Sequence, residues 1–166
     1  HLQKLGDSLK MKGLESKINR VLGDVLGDRL ESIILFGSSI YMGHGGDIDI
    51  LVVVDCLEGL EEKISLEEKI IECLSKMFGY RITFDVHILD TRGLGKNMEV
   101  GGFLSGLALG YKIIYDKLSI NGKILGMLEK LSEQRYIYLN RYGEWDISKI
   151  AKITLSIKKG EKDTDR

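Results

Sequence analysis

Apolar positions in the first half of the chain repeat with the periods of helices and strands. A helical stripe begins at Leu14, because apolar residues recur there every three or four positions. Ser65 and Glu68 form a capping-box pattern, which predicts a helix that starts at Ser65 and ends at Gly79. Apolar runs and period-two alternation predict three strands, over 32–36, 47–54 and 81–89.

The second half of the chain has a weaker pattern. Residues 90–97 are predicted to form a glycine-containing loop, 98–109 a helix and 111–115 a short strand. A long helix is predicted over 120–139, and Asp146 is placed to cap a last helix. The apolar side of the long helix carries Ile124, Leu128 and Leu131.

The alternation of helices and strands predicts a fold of the α/β (α+β) class. Four segments are predicted along the chain. Residues 1–13 form a loose N-terminal arm, 14–116 the main domain, 117–157 a C-terminal helical extension, and 158–166 a highly charged, disordered tail.

Composition excludes several classes of protein. Of the 166 residues, 43% are hydrophobic and 30% are charged, as in globular proteins. The 24 Lys and Arg residues nearly balance 25 Asp and Glu residues, which argues against nucleic acid as a partner held by bulk electrostatics. No apolar run approaches the roughly 20 residues of a membrane span. Many charges of both signs resemble thermophile usage, although the absence of proline runs against that trend.

The cysteines and the first residues predict a cytoplasmic location. Cys56 and Cys73 are too few for a disulfide framework and lack Cys-x-x-Cys spacing. The first residues also lack the apolar segment of a secretory signal.

Asp47 and Asp49 place two carboxylates on one face of the second predicted strand. Because side chains alternate along a strand, the two lie about 7 Å apart, and Ile48 and Ile50 face a core instead. Paired carboxylates repel each other unless a cation lies between them, and they suit Mg²⁺. A solvated pair that protects an edge strand from aggregation is the alternative.

Asp85 adds a third carboxylate on the next predicted strand. Thr83, Asp85 and His87 share the face opposite that strand's apolar positions. An Asp within so apolar a strand is costly without a reason, because its β propensity is low. If the two strands are neighbours, three carboxylates converge. Such a set suits two-metal phosphoryl transfer, in which one carboxylate can also deprotonate the attacking hydroxyl.

Gly37 and Ser38 directly follow the first predicted strand, and eight residues separate Ser38 from Asp47. Glycine permits a tight turn and a close backbone approach to a ligand. A short helix from about Ser39 would point its free N–H groups at an anion, together with the Ser38 hydroxyl. Gly-Ser after a strand is also a common turn. Its spacing from the paired aspartates is what favours a phosphate site.

These motifs together resemble the DNA polymerase β-like nucleotidyltransferase superfamily. Leu35–Ser38 is followed by Asp47–Asp49, with Asp85 on a later strand, as in the minimal nucleotidyltransferase (antitoxin-type) proteins of archaea and bacteria. Residues 110–116 are similar to the closing strand of that family. The resemblance covers roughly residues 14–116 and implies that this segment is a nucleotidyltransferase domain.

The resemblance implies a fold, an activity and site residues. The fold would be a mixed sheet of about four to five strands with helices on one face and the site open on the other. The activity would be Mg²⁺-dependent (or Mn²⁺-dependent) transfer of a nucleoside monophosphate from a nucleoside triphosphate, with ATP expected. Gly37 and Ser38 would bind the triphosphate. Asp47, Asp49 and Asp85 would be the catalytic metal ligands, and Asp85 would also be the base.

The acceptor and the partner stay open at the sequence level. The resemblance implies a helical HEPN-type partner protein as the acceptor. A small-molecule hydroxyl is the alternative acceptor. A homodimer is the alternative to association with a partner protein. No Lys or Arg occurs from Leu30 through Glu62. The triphosphate charge would therefore be balanced by metal ions, backbone N–H groups and more distant cations such as Arg81, Lys96 or Lys112. A catalytically degenerate module that binds a protein partner is therefore the alternative function.

Three further features have more than one interpretation. His44 would be a loop histidine or a phosphate contact, and His87 would orient Asp85 or lie beside the acceptor. The C-terminal aromatic residues would pack between helices or stack on a base. They are Tyr136, Tyr138, Tyr142 and Trp145.

Overall fold

The computed structural model describes residues 2–37, 47–97, 103–140 and 143–164. The helices are α1 (Leu2–Leu26), α2 (Leu60–Met77), α3 (Thr91–Asn97), α4 (Asn121–Glu133) and α5 (Ile147–Thr164). The strands are β1 (Leu30–Phe36), β2 (Asp47–Val54), β3 (Thr83–Asp90), β4 (Tyr111–Asp116), β5 (Ile137–Asn140) and β6 (Gly143–Asp146). Short 3₁₀ segments span Gly27–Arg29 and Phe103–Leu109.

A four-stranded mixed sheet forms the centre of the fold, in the order β3-β2-β1-β4. Strand β1 runs antiparallel to both β2 and β4, whereas β2 and β3 are parallel. Strands β5 and β6 form a separate hairpin. The predicted fold class, an α+β protein with a mixed sheet, is confirmed.

One face of the sheet packs against α1 and α2. The stripe of α1 buries Ile18 and Leu22 fully, and Ile70 and Leu74 of α2 join them. The even-numbered residues of β2 complete this core, since Ile50, Val52 and Val54 are buried and Ile48 packs against them. The predicted core face of β2 is therefore confirmed.

The other face of the sheet is partly covered by the C-terminal helices. Leu51 and Val53 of β2 lie in a second core with the stripe of α4. That stripe is buried at Ile124, Met127, Leu128 and Leu131. Among the described residues of β2 and β3, the part of this face that carries Asp47, Asp49 and Asp85 is more open. The site was expected to be open over a whole face of the sheet, and the open region is narrower than that.

Helix boundaries near the N-terminus differ from the expectation. Helix α1 begins at Leu2, so the described part of the segment predicted as a loose arm over 1–13, residues 2–13, has a helical backbone. Helix α2 begins at Leu60 rather than at Ser65. Its first turn is held by Glu62, whose carboxylate accepts hydrogen bonds from the Arg29 side chain and the Glu58 backbone N–H. This long-range contact to Arg29 is invisible in a local capping pattern.

Three predictions for the second half of the chain were wrong, one in a helix boundary and two in the type of structure. Residues 91–97 form helix α3 rather than a loop, because the Asp90 carboxylate accepts the Gly93 N–H at 2.7 Å and caps the helix. The long helix predicted over 120–139 ends at Glu133, and strand β5 follows. The tail predicted as disordered over 158–166 is helical through Thr164.

Lys158 explains why α5 continues into that charged tail. Its side chain is only 16% exposed, and its ammonium group lies 4.5 Å from the centre of the Tyr111 ring. The same ammonium group lies 3.4 Å from a carboxylate oxygen of Glu161. The ammonium group of Lys159 lies 3.6 Å from a carboxylate oxygen of Glu129 in α4. These contacts anchor the last turns, which composition alone suggested would fray.

The start of α5 and the second core agree with the sequence. The Asp146 carboxylate accepts hydrogen bonds from the Ser148 hydroxyl and the Lys149 N–H, as a helix cap does. Tyr136 and Trp145 pack against the second core, which confirms packing for these two aromatic residues.

Among the described residues, no helix has the length and apolar character needed to cross a membrane.

Candidate active site

The parallel pairing of β2 with β3 brings the predicted acidic residues together. In its register Asp49 lies opposite Asp85, and Asp47 lies opposite Thr83. Because side chains alternate along each strand, these residues project from the face opposite the α1–α2 core. The condition on which the sequence analysis made the convergence of carboxylates depend, that the two strands are neighbours, is met.

Three donor groups converge at this point. One ligand atom each from Asp49, Asp85 and His87 lies within 4.8 Å of the others. The Nε2 atom of His87 is 3.3 Å from Oδ2 of Asp85. The side chains of Asp85 and His87 are 58% and 36% exposed, so the group is open to a substrate or ion from solution.

Asp47 lies beside this group rather than within it. Its side chain is exposed, and the set of donor atoms that lie within 4.8 Å of one another comprises Asp49, Asp85 and His87. Its negative charge still acts on Asp49. The structure therefore places Asp47 at the rim of the cluster, while its predicted role as a metal ligand stays a prediction.

The pKa of the Asp49 carboxyl is raised above its ordinary value. The main cause is burial, and the charge of Asp85 is next, while the imidazole of His87 opposes both. Burial and like charge both disfavour an ionised carboxylate. Binding of a cation here would relieve this repulsion, so the electrostatics favour a metal ion at Asp49.

Gly37 allows the backbone after β1 to lie directly against Asp49. Its φ of +90° is a conformation that L-residues rarely adopt, and a Cβ there would overlap Oδ2 of Asp49. The backbone at Gly37 therefore lies close to the Asp49 carboxylate, while the predicted approach to a bound triphosphate stays a prediction. Ser38 and the loop that contains His44 lie outside the described residues, so the triphosphate role of Ser38 stays a prediction.

Phe36 forms the wall of the site on the β1 side. It pairs with Asp49 in the sheet, and its ring centre lies 6.1 Å from that of His87. Lys112, one of the cations considered for the triphosphate, instead pairs with Glu15 of α1. It lies opposite Leu35, which faces the α1–α2 core, so its charge is directed away from the carboxylates.

His87 is the member of the cluster that the sequence analysis left undecided. The signal that could have found it is its position two residues after Asp85 on the same strand face. What the sequence could not give is the register of β2 against β3, which sets the distances among Asp49, Asp85 and His87.

No protein-family model matches the chain, and no curated protein matches it. Among solved structures, a chain of a toxin-antitoxin crystal structure with AMP-PNP is similar, with 23% identity and a TM-score of 0.46 over 72% of this chain and 90% of that one. A chain from tri-AMPylated Shewanella oneidensis HEPN toxin in complex with MNT antitoxin has 20% identity and a TM-score of 0.47, over 74% and 87%. Spectinomycin adenyltransferase AAD(9) from Enterococcus faecialis, with ATP and spectinomycin, has 19% identity and a TM-score of 0.48, over 74% and 66%.

Proposed function

We propose that this protein is a metal-dependent nucleotidyltransferase that transfers a nucleoside monophosphate from a nucleoside triphosphate to an acceptor. The observation that carries the proposal is the pairing of Asp49 with Asp85, beside the close backbone approach at Gly37. The same residues carry the sequence resemblance to the polymerase β-like superfamily. ATP is the expected triphosphate, as the resemblance to the minimal nucleotidyltransferases implies.

The donor set fits a divalent metal ion. Two carboxylates and an imidazole within 4.8 Å of one another are ligands that such ions take in proteins. Asp49 and Asp85 would hold the ion, with Asp47 at the rim, and Mg²⁺ or Mn²⁺ is the expected identity. A bound ion would neutralise phosphate charge and polarise a phosphoryl oxygen.

The residues of the chain have distinct tasks in the transfer. Backbone N–H groups after Gly37 and the Ser38 hydroxyl bind the triphosphate and orient its α-phosphorus. The exposed Asp85 carboxylate accepts the proton of the acceptor hydroxyl. The acceptor oxygen then forms a bond to the α-phosphorus, the bond from that phosphorus to the bridging oxygen breaks, and pyrophosphate leaves.

The acceptor proposed is a partner protein of the helical HEPN type in the cytoplasm. The resemblance to antitoxin-type minimal nucleotidyltransferases supports it. Exposed apolar side chains of the C-terminal part offer a surface on which a protein could dock, either that partner or a second copy of the chain. They include Leu139, Ile153 and Ile157, which are 68%, 61% and 57% exposed.

A degenerate module that binds a partner without catalysis is the second candidate. It is favoured by the lack of Lys or Arg from Leu30 through Glu62, together with the pairing of Lys112 with Glu15. Charge balance at a triphosphate would then depend on metal ions and backbone N–H groups. The two candidates differ in one measurable property, which is covalent transfer.

The test is transfer of label from α-³²P-ATP to acceptors in a cell lysate, with Mg²⁺ or Mn²⁺. We expect a labelled protein band with the native chain and none with Asp49→Asn or Asp85→Asn. Asp24→Asn removes an exposed carboxylate on α1 and serves as the matched control, with unchanged labelling. Equal labelling by the native chain and Asp49→Asn would contradict the assigned site, and no labelling by any form would favour the non-catalytic module.

A further inference from the structure

We propose that His87 is a metal ligand of this site, and that its imidazole makes the site prefer a first-row transition ion over Mg²⁺. This inference rests on the proposed function for the presence of a metal ion at Asp49 and Asp85. It adds a nitrogen ligand to what sequence reasoning had described as a set of three carboxylates.

The distance between His87 and Asp85 suits two ligands of one ion. At 3.3 Å, Nε2 of His87 and Oδ2 of Asp85 lie just beyond the usual N–H···O range of about 2.7–3.2 Å. Two ligands that each lie about 2.1 Å from an ion are about 3.0 Å apart at octahedral angles and about 3.4 Å at tetrahedral angles. The observed separation lies between these two values, so one ion could contact both atoms without a large movement.

The third donor closes the set on the other strand. Asp49 contributes an oxygen within 4.8 Å of both of these atoms. The three ligands come from two adjacent parallel strands, where the backbone is held by the sheet. Ligands on such rigid elements keep their geometry better than ligands on loops.

The imidazole also lies next to the ring of Phe36. Its ring centre lies 6.1 Å from that of Phe36, with an interplanar angle of 42°, and about a third of the side chain is exposed. A ring packed in this way loses little additional freedom on binding an ion. The packing therefore favours His87 as a preorganised ligand rather than a solvent-exposed side chain.

The chemistry of the donors sets the metal preference. Mg²⁺ prefers oxygen ligands and near-ideal octahedral geometry, whereas imidazole nitrogen suits the later first-row ions. Replacing one carboxylate of a three-carboxylate set by a neutral imidazole also lowers the negative charge that attracts Mg²⁺. The exposed position of Asp47 at the rim is consistent with a site in which His87 takes the third place.

The test is titration of the metal-free full chain with Co²⁺ and, separately, Mg²⁺, followed by calorimetry and by the visible spectrum of bound Co²⁺. No nucleotide is present, so the readout is independent of transfer. His87→Phe keeps an aromatic ring beside Phe36 but removes the donor atom, and His87→Gln replaces nitrogen by an amide oxygen. Thr83→Ala, on the same face of β3, is the matched control.

We expect Co²⁺ to bind the native chain more tightly than Mg²⁺, and both His87 variants to lose at least about tenfold in Co²⁺ affinity. Mg²⁺ affinity should change little in His87→Gln, and the Co²⁺ spectrum should change in both variants but not in Thr83→Ala. Equal Co²⁺ affinity and an identical spectrum in the native chain and His87→Phe would overturn the proposal. The same titrations on Asp49→Asn separate the two claims, because loss of binding there with no effect at His87 keeps the metal site and removes only this ligand.

Discussion

Asp49 is the residue on which the site depends most. Its carboxylate is half-buried and lies directly against the backbone of Gly37. It lies opposite Asp85 on the neighbouring strand. Burial and the negative charge of Asp85 raise its pKa, which means that both disfavour the ionised form of this carboxylate. A residue placed in this way indicates a binding role more strongly than a solvated aspartate on an edge strand would.

Gly37→Ala should disturb this arrangement. The new Cβ would overlap the Asp49 carboxylate, and the φ of +90° is unfavourable for alanine, so we expect a loss of about 1–3 kcal/mol in the free energy of unfolding. Urea denaturation measures it, and metal titration should show weaker binding.

Gly23→Ala is the matched control for that substitution. Gly23 lies in helix α1, and apart from that helix's own backbone no heavy atom lies within 4 Å of the Cβ it would gain. The same change there should stabilise the protein by about 0.5–1 kcal/mol. Stabilisation by both substitutions would show that the backbone at Gly37 does not touch Asp49 as described.

At the scale of elements, strands were predicted better than helix ends. The pattern of β2 predicted its bounds correctly, because one face is continuously apolar and the other begins with two carboxylates. Helix α3 was missed because Gly93 and Gly95 read as loop residues, while its cap is a single contact from Asp90. The hairpin of β5 and β6 was missed because residues 137–139 were assigned to the long helix predicted over 120–139.

The sequence predicted which strand face carries each acidic residue, but not how the two strands pair. Alternation placed Asp47 and Asp49 on one face of their own strand, and Asp85 and His87 on one face of theirs. Both assignments need only the local sequence. That β2 and β3 pair in parallel with Asp49 opposite Asp85 depends on the whole sheet. The carboxylate positions were therefore predictable, and the inclusion of His87 in place of Asp47 within the close cluster was not.

The cap of α5 predicts a pH dependence of stability. The pKa of Asp146 is held below its ordinary value of 3.8, mainly by the Ser148 hydroxyl that donates to it. A carboxyl with a lowered pKa contributes stability above its unfolded pKa and loses it as the pH falls through the folded value. Asp146→Asn keeps an acceptor oxygen but does not titrate.

We therefore expect the stability advantage of the native chain over Asp146→Asn to shrink as the pH is lowered from about 6 to about 3. Urea unfolding at several pH values measures it. Ser148→Ala keeps the Asp146 carboxyl but removes the main cause of its lowered pKa. The stability advantage of Ser148→Ala over Asp146→Asn should therefore vary less with pH. A difference between the native chain and Asp146→Asn that stays constant down to about pH 3 would contradict this account.

At the scale of the whole molecule, two cores share one sheet. Helices α1 and α2 cover one face, and α4 and α5 cover part of the other. Asp116 links the halves, because its carboxylate accepts hydrogen bonds from the Ser32 hydroxyl and the Ile120 N–H, each at 3.0 Å. The C-terminal helices therefore limit the open face to the region around Asp49 and Asp85.

This arrangement makes a prediction about the proposed division of the chain near Asp116. Ending the chain there would expose Ile34, Leu51 and Val53, which α4 and α5 now bury. We expect the shortened chain to show no cooperative unfolding transition in urea. A cooperative transition with native-like stability would instead support residues 14–116 as an independent domain.

Leu128→Ala is a milder form of the same test. Leu128 is fully buried in the second core, so the substitution should cost about 2–5 kcal/mol of unfolding free energy. Lys130→Ala, at an exposed position of the same helix, should change stability by no more than about 0.5 kcal/mol. Similar small effects of both changes would show that α4 contributes little to the core.

The central claim is nucleotidyl transfer, and the most direct measurement compares the fate of two phosphorus labels. The full chain is incubated with a divalent ion, an acceptor-containing lysate, and ATP labelled at either the α- or the γ-phosphorus. We predict that the α-label becomes covalently attached to the acceptor while the γ-label leaves as pyrophosphate, and that Asp85→Asn abolishes both events. Attachment of the γ-label would show phosphoryl rather than nucleotidyl transfer, and attachment of the α-label by Asp85→Asn at the native rate would contradict the site.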